Sequence, residues 1–166
     1  MSGCPICELV ERKEGLVYED DKIAALFAPV PASVGHVWVV PKKHASILEQ
    51  VPDFVVGEMF AKINKLTIAL FESLKPEGTN VIVQSGAAAG QVLPHAIVHV
   101  LPRMQGDGLN LQWKPVQVAE DDMGTLELKL KDAASSIGVF ETEPQKPVEV
   151  ETPKEIFAVR TNGAGA

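Results

Sequence analysis

The stretch Pro94-His95-Ala96-Ile97-Val98-His99-Val100-Leu101-Pro102-Arg103 places two histidines four residues apart in an apolar, β-branched run. Such a run predicts a β-strand. Side chains alternate between the two faces of a strand, so His95, Ile97 and His99 are expected on one face and the intervening residues on the other. Two imidazoles beside one isoleucine are either satisfied histidines of a half-buried sheet or part of a site, and the rest of the chain decides between these interpretations.

The chain has 166 residues, enough for one domain with its own core and an additional tail. Its net charge of −7 argues against a duplex nucleic-acid partner, because phosphate contacts require a basic face. No apolar run reaches the length that spans a bilayer, and the N-terminus lacks a basic segment followed by an apolar stretch and a cleavage site. We therefore expect a cytoplasmic protein that binds small molecules or proteins and has no membrane partner.

Patterns along the chain predict an α+β fold. Residues 16–27 read as two short strands joined by a charged turn, and residues 36–41 form a β-branched, aromatic strand. His36, at its start, is expected to be structural and held by a neighbouring backbone group. Apolar residues recur at helical spacing over 53–74. A strand over 80–84 should then pair with the histidine-bearing strand as an antiparallel hairpin.

The composition changes after the histidine-bearing strand. Trp113 is expected to anchor the chain back on the core, and residues 120–137 are weakly helical in pattern. Glu, Pro, Lys and Val dominate from about residue 141, a composition that does not bury enough apolar area to order itself. The predicted organisation is a domain over 1–114, a helical extension over 115–140 and a flexible tail over 141–166.

Two residues separate Cys4 from Cys7, which is the usual spacing for half of a tetrahedral zinc site. All four histidines of the chain are candidates for the other two ligands, and His44 and His95, each at the mouth of a predicted strand, would complete a Cys2His2 set. Four protein ligands leave no position for water, so such a site would be structural and would tie the N-terminal segment to the sheet. The alternatives are a redox dithiol, for which the early βαβ unit is missing, and two free buried thiols.

Several separate motifs together resemble the histidine triad (HIT) family over about residues 4–114. They are the cysteine pair, the run Gly35-His36-Val37-Trp38-Val39-Val40-Pro41-Lys42-Lys43-His44, Gly90-Gln91 and Pro102-Arg103. Their order along the chain resembles that in the zinc-containing branch of the HIT family, which is related to the Hint nucleoside phosphoramidases. The resemblance implies a HIT-like antiparallel sheet with one long helix and a homodimer. It also implies an N-terminal Zn²⁺ site formed by Cys4, Cys7, His44 and His95.

The resemblance breaks at the central triad position. The family triad reads His-x-His-x-His, and its central histidine attacks the α-phosphorus of a nucleotide to form a covalent intermediate. Ile97 stands at that position here, and isoleucine has no lone pair with which to attack. The resemblance therefore implies a protein that binds an AMP-like purine nucleotide with weak or no hydrolase activity. The alternatives are an active nucleoside phosphoramidate or dinucleotide hydrolase that uses His99, and a zinc-stapled protein interaction module.

Four residues are expected to bind the nucleotide. Gln84 corresponds to an asparagine that contacts phosphate in the family, and Gln91 stands where the family also contacts phosphate. His99 keeps the third triad position, and Leu26 of the second predicted strand completes the set. The carboxylate that binds the ribose in the family is missing near Ala28.

Overall fold

A computed structural model describes residues 3–144 of the chain. A five-stranded antiparallel sheet with strand order β1-β2-β3-β5-β4 forms its centre. The helices and strands are α1 (Pro5–Arg12), β1 (Leu16–Glu19), β2 (Ile23–Phe27), β3 (Val37–Pro41), α2 (Asp53–Leu74), β4 (Gly78–Val83), β5 (Val98–Arg103) and α3 (Glu120–Ala133). The predicted α+β class, with an antiparallel sheet and one long helix, is confirmed.

The three central strands of the sheet, β2, β3 and β5, are largely buried on both faces. On one face, α2 inserts Met59 and Ile63 against Val39 and Val98 of the two central strands. On the other face, a smaller core contains Trp38 and Ile97 together with residues of α1. Because successive side chains of β3 and β5 alternate between these two cores, every residue of β3 is buried.

The histidine-bearing strand is shorter than predicted. β5 begins at Val98, and His95 to Ile97 lie before it. The backbone explains the difference, because the Ala96 N–H donates to the Ala45 carbonyl at 2.7 Å rather than to a neighbouring strand. The predicted alternation nevertheless holds, since Ala96 packs in the core beneath α2 and Ile97 in the core on the other face.

The cysteine pair lies at the start of a helix, which the sequence pattern did not predict. Pro5 occupies the first helical position of α1, which suits its fixed φ and missing N–H. Ile6 and Val10 are buried, one turn apart on the face that meets the sheet. A helix of eight residues is marginal in isolation, so this tertiary burial is what holds it in place.

Arg103, rather than Trp113, attaches the segment that follows the sheet. Trp113 is 84% exposed, so the predicted aromatic anchor is wrong. The Arg103 guanidinium instead pairs with the Asp107 carboxylate at 2.5 and 2.8 Å and donates to the Leu109 carbonyl at 2.6 Å. A bidentate pair of this kind is directional and strong, whereas an indole with no groove to fill contributes little.

The helical pattern over residues 120–137 corresponds to α3, whose residues are exposed. Beyond it the chain returns to the domain, where the Glu141 N–H donates to the Asp53 carboxylate at 3.0 Å and Glu143 pairs with Lys22 at 2.7 Å. Residues 145–166, most of the predicted tail, lie outside the described residues, and the three domain boundaries stay predictions. Within residues 3–144, none of the helices combines the length and apolar character that a bilayer crossing requires.

Candidate functional site

Two thiols and two imidazoles converge beside α1. The ligand atoms of Cys4, Cys7, His44 and His95 all lie within 4.8 Å of one another. Cys4 Sγ lies 3.5 Å from His95 Nδ1, Cys7 Sγ lies 3.5 Å from His44 Nδ1, and Cys7 Sγ lies 3.7 Å from His95 Nδ1. The structure thus brings together the four residues that were singled out in the sequence.

The fold explains this convergence. Cys4 and Cys7 are three residues apart at the beginning of α1, so one helical turn places them on the same side. His44 follows the C-terminal end of β3, and His95 precedes the N-terminal end of β5. Because β3 and β5 are antiparallel neighbours, these two strand ends meet at one edge of the sheet.

The four groups fit a tetrahedral zinc ion. Zn–S and Zn–N bonds of about 2.3 and 2.0 Å at tetrahedral angles require sulfur and nitrogen atoms about 3.6 Å apart. Three of the four sulfur–nitrogen separations are 3.5–3.7 Å and agree with this value. His95 Nε2 donates to the Pro41 carbonyl at 3.0 Å, which leaves Nδ1 unprotonated and oriented as a ligand. Burial, and then the adjacent Cys4 thiol, raise the pKa of Cys7 to about 11, and a bound cation would offset this by stabilising the thiolate.

A cavity of about 420 Å³ lies next to this cluster. Its walls include the predicted face of the histidine-bearing segment, because His95, Ile97 and His99 all line it. His95 is therefore shared between the cavity and the metal-binding cluster. Trp38 forms a further part of the wall.

Two predicted nucleotide-binding amides, Gln84 and Gln91, also line the cavity. Gln84 Nε2 donates to the Ala89 carbonyl at 2.9 Å. Gln91 accepts from the Gly86 N–H at 2.7 Å and donates to the Ser46 carbonyl at 2.6 Å. In this arrangement both amides hold the loop between β4 and β5 in shape, and their role in nucleotide binding stays a prediction.

Leu26, the fourth predicted nucleotide-binding residue, is 1% exposed. It packs in the smaller core together with Trp38 and Ala28. Leu26 is therefore buried beside Trp38 and is not among the residues that line the cavity, and its role in nucleotide binding stays a prediction.

His36 joins the site through His99, which the sequence did not indicate. His36 Nδ1 accepts from the Ala32 N–H at 3.1 Å, so its proton is on Nε2. That Nε2–H donates to His99 Nδ1 at 3.1 Å, and the proton of His99 is therefore on its own Nε2. The expected backbone partner of His36 is present, but the contact with His99 depends on the pairing of β3 with β5, which no local pattern reveals.

Both imidazoles of this pair are neutral near pH 7. Burial, and then the nearby His99, lower the pKa of His36 to about 4, and burial lowers the pKa of His99. The unfolded chain, with a histidine pKa of about 6.5, thus binds more protons than the folded chain below that pH. The contribution of His36 to stability is fully present above pH 6.5 and is lost as the pH falls toward 4.

We expect the free energy of unfolding to fall by about 1–2 kcal/mol more for the wild type than for His36→Gln between pH 7 and pH 5. Urea titrations of both proteins at a series of pH values measure this difference. Equal pH slopes for the two proteins would contradict the assignment of a neutral, buried His36.

The fold and the paired-histidine site define the class of protein. The HIT domain family matches residues 10–106, which is more than half of the chain. This chain belongs to the HIT domain family.

Individual similar proteins support this family assignment. Adenylylsulfatase HINT3 of Arabidopsis thaliana is 32% identical over 138 residues, covering 82% of this chain and 66% of that protein. Adenosine 5′-monophosphoramidase HNT1 of Candida albicans is 28% identical, covering 82% of this chain and 94% of that protein. The crystal structure of a Zn-bound histidine triad family protein from Mycobacterium smegmatis superposes with a TM-score of 0.61 at 29% identity, covering 80% of this chain and 97% of the other.

Proposed function

We propose that this HIT-domain protein binds a purine nucleotide such as AMP in the cavity beside His99 and has weak or no nucleotidyl hydrolase activity. One observation carries the proposal: Ile97 lies between His95 and His99 on the cavity wall, at the position expected for the nucleophile. An alkyl side chain cannot form the covalent nucleotidyl intermediate. The names of relatives that act on adenylyl compounds support a nucleotide as the ligand.

The hydrogen bonds of His99 argue against its use as a replacement nucleophile. Its Nδ1 accepts from His36, and its Nε2 carries the proton. Reversing this tautomer would require His36 to carry a proton on Nδ1, where it would face the Ala32 N–H. His99 is therefore suited to donate a hydrogen bond to a bound anion rather than to attack phosphorus.

We propose that the metal held by Cys4, Cys7, His44 and His95 is zinc and that its role is structural. The convergence of the four donors, the three sulfur–nitrogen separations of 3.5–3.7 Å and the Zn-bound relative support this assignment. A bound zinc ion would supply four strong bonds that tie α1 to the ends of β3 and β5. The four protein groups would complete its coordination, so no chemistry on a substrate is assigned to it.

Calorimetry with AMP and turnover of adenosine 5′-phosphoramidate, both on the zinc-replete full chain, test the proposed function. We expect saturable AMP binding and turnover close to that of a heat-denatured control. An absence of saturable binding at millimolar AMP would remove the proposal. Clear turnover that disappears in His99→Ala would establish the alternative of an active hydrolase.

The names of the hydrolase relatives favour the alternative of an active hydrolase. The exposed apolar residues of α3 favour the third possibility, an interaction module.

A homodimer through α2 and an edge strand stays a prediction. It is supported by the position of β4 at the edge of the sheet and by exposed Phe60, Ile68 and Phe71 on α2. The cytoplasmic location also stays a prediction.

A further inference from the structure

Trp38 occupies a central place in the cavity wall. It lies on β3, directly opposite Leu26 of β2 and His99 of β5, in a row that crosses the sheet. Its ring meets the His99 ring edge to face, with centroids 6.1 Å apart and an interplanar angle of 83°. Trp38 and His99 therefore form adjacent parts of one surface that a ligand in the cavity would contact.

The indole N–H of Trp38 is buried without an acceptor. The residue is 8% exposed, and Nε1 has no hydrogen-bond partner among residues 3–144. A buried donor that lacks a partner is costly, and most such groups in folded proteins are satisfied. A phenylalanine would fill the apolar part of this position without that cost. The presence of tryptophan therefore indicates a hydrogen-bonding function for its N–H group.

The chemistry of the cavity indicates what this donor would meet. The described residues that line it include no Lys, Arg, Asp or Glu side chain. The Gln91 amide N–H groups and one N–H of the Gln84 amide already donate to backbone carbonyls. Besides the second N–H of Gln84, the side-chain donors in this wall that remain for a ligand are His99 Nε2–H and Trp38 Nε1–H, and all three groups are neutral.

We infer that Trp38 is a ligand-binding and specificity-determining residue, whose indole N–H acts together with His99 Nε2–H to bind a phosphoryl oxygen of the nucleotide. This inference rests on the proposed function and adds a donor to it. Two neutral N–H groups in a largely apolar cavity bind an oxygen acceptor strongly, because water does not compete for them. A nucleoside without a phosphoryl group would leave both donors unsatisfied and would bind less tightly.

The indole ¹⁵N–¹H signal of Trp38 tests the inference directly. The chain has two tryptophans, so Trp113→Phe assigns the two signals in the zinc-replete, ¹⁵N-labelled full chain. Saturating AMP should move the Trp38 signal to lower field, as expected for a new hydrogen bond, while adenosine should not. A signal that stays in place while calorimetry shows AMP bound would overturn the inference and leave the proposed function standing. An equal shift with adenosine would overturn the phosphoryl assignment, and no AMP binding at all would remove both.

Trp38→Phe provides a second, independent measurement. It keeps an aromatic ring in the wall and removes only the donor, so we expect AMP affinity to fall about tenfold and adenosine affinity to change less than twofold. Trp113→Phe makes the same chemical change at a residue that is 84% exposed and should leave both affinities unchanged. Retained metal content and a dispersed NMR spectrum establish that Trp38→Phe is folded. Unchanged AMP affinity in a folded Trp38→Phe protein would also overturn the inference.

Discussion

Ile97→His is expected to raise turnover of adenosine 5′-phosphoramidate by about a thousandfold or more over the wild type. Removal of a covalent nucleophile typically costs several powers of ten in rate, so restoring one to a preserved site should recover much of that factor. The position suits the change, because Ile97 is on the cavity wall between His95 and His99 and is 7% exposed. The wild type and the variant should bind AMP with similar affinity.

The matched control is Ile97→Leu, which repacks the same wall without adding a nucleophile and should show wild-type turnover. Rapid quenching of Ile97→His with substrate should also trap a protein that carries one nucleotidyl group, detected as a mass increase. If Ile97→His binds AMP but neither hydrolyses the substrate nor forms this adduct, the site also lacks other groups that the reaction requires. If the wild type turns over as fast as the variant, position 97 is not where the chemistry occurs.

Removal of the metal is expected to have the second large effect. A ligand present at a thousandfold above its dissociation constant stabilises the folded state by about 4 kcal/mol, and a chelator should remove that contribution. The loss should be greatest in α1, since its eight residues depend on Ile6, Val10 and the metal cluster for their position. Denaturant titration with and without chelator measures the first effect, and amide hydrogen exchange in α1 measures the second.

Cys7→Ser should reproduce the effect of the chelator, because a serine hydroxyl is a poor zinc ligand of nearly the same shape. Glu8→Gln is the control, since Glu8 lies in the same helix and is outside the four donors, and within residues 3–144 its carboxylate pairs with exposed Arg12 alone. Elemental analysis should find one zinc per chain in Glu8→Gln and far less in Cys7→Ser. Stability that is independent of chelator in a protein that has lost its zinc would refute the structural role.

Much of the fold could be predicted because its signals are local. The helical spacing over residues 53–74 is visible in one window of sequence, and it matches α2. The apolar run at residues 36–41 similarly predicted β3, whose five residues are all buried. By contrast, α1 is too short for a clear periodic signal, and its formation depends on burial against residues far away in the chain.

The features of the candidate site that could be predicted were likewise those with local sequence signals. Alternation along the strand placed His95, Ile97 and His99 on one face, and the cavity wall confirms that arrangement. The Cys4–Cys7 spacing indicated two metal ligands, and the positions of His44 and His95 at predicted strand ends, together with the family resemblance, indicated the other two. The convergence of the four ligand atoms depends on the pairing of β3 with β5. The prediction that Trp113 packs on the core was wrong, because aromatic character shows that a side chain can pack but not whether a partner surface is present.

The sequence by itself determined where the strands occur along the chain, the long helix and the absence of a histidine at position 97. These properties follow from residue type and from spacings of two and 3.6 residues, which are independent of the rest of the chain. Only the tertiary structure decided that His36 donates to His99, that Gln84 and Gln91 hold a loop, and that the Trp38 N–H has no acceptor among residues 3–144. Each of these depends on the register of β3 against β5 or on the path of the loop before β5, and hydrogen-bond partners are set by such long-range geometry rather than by neighbouring residues.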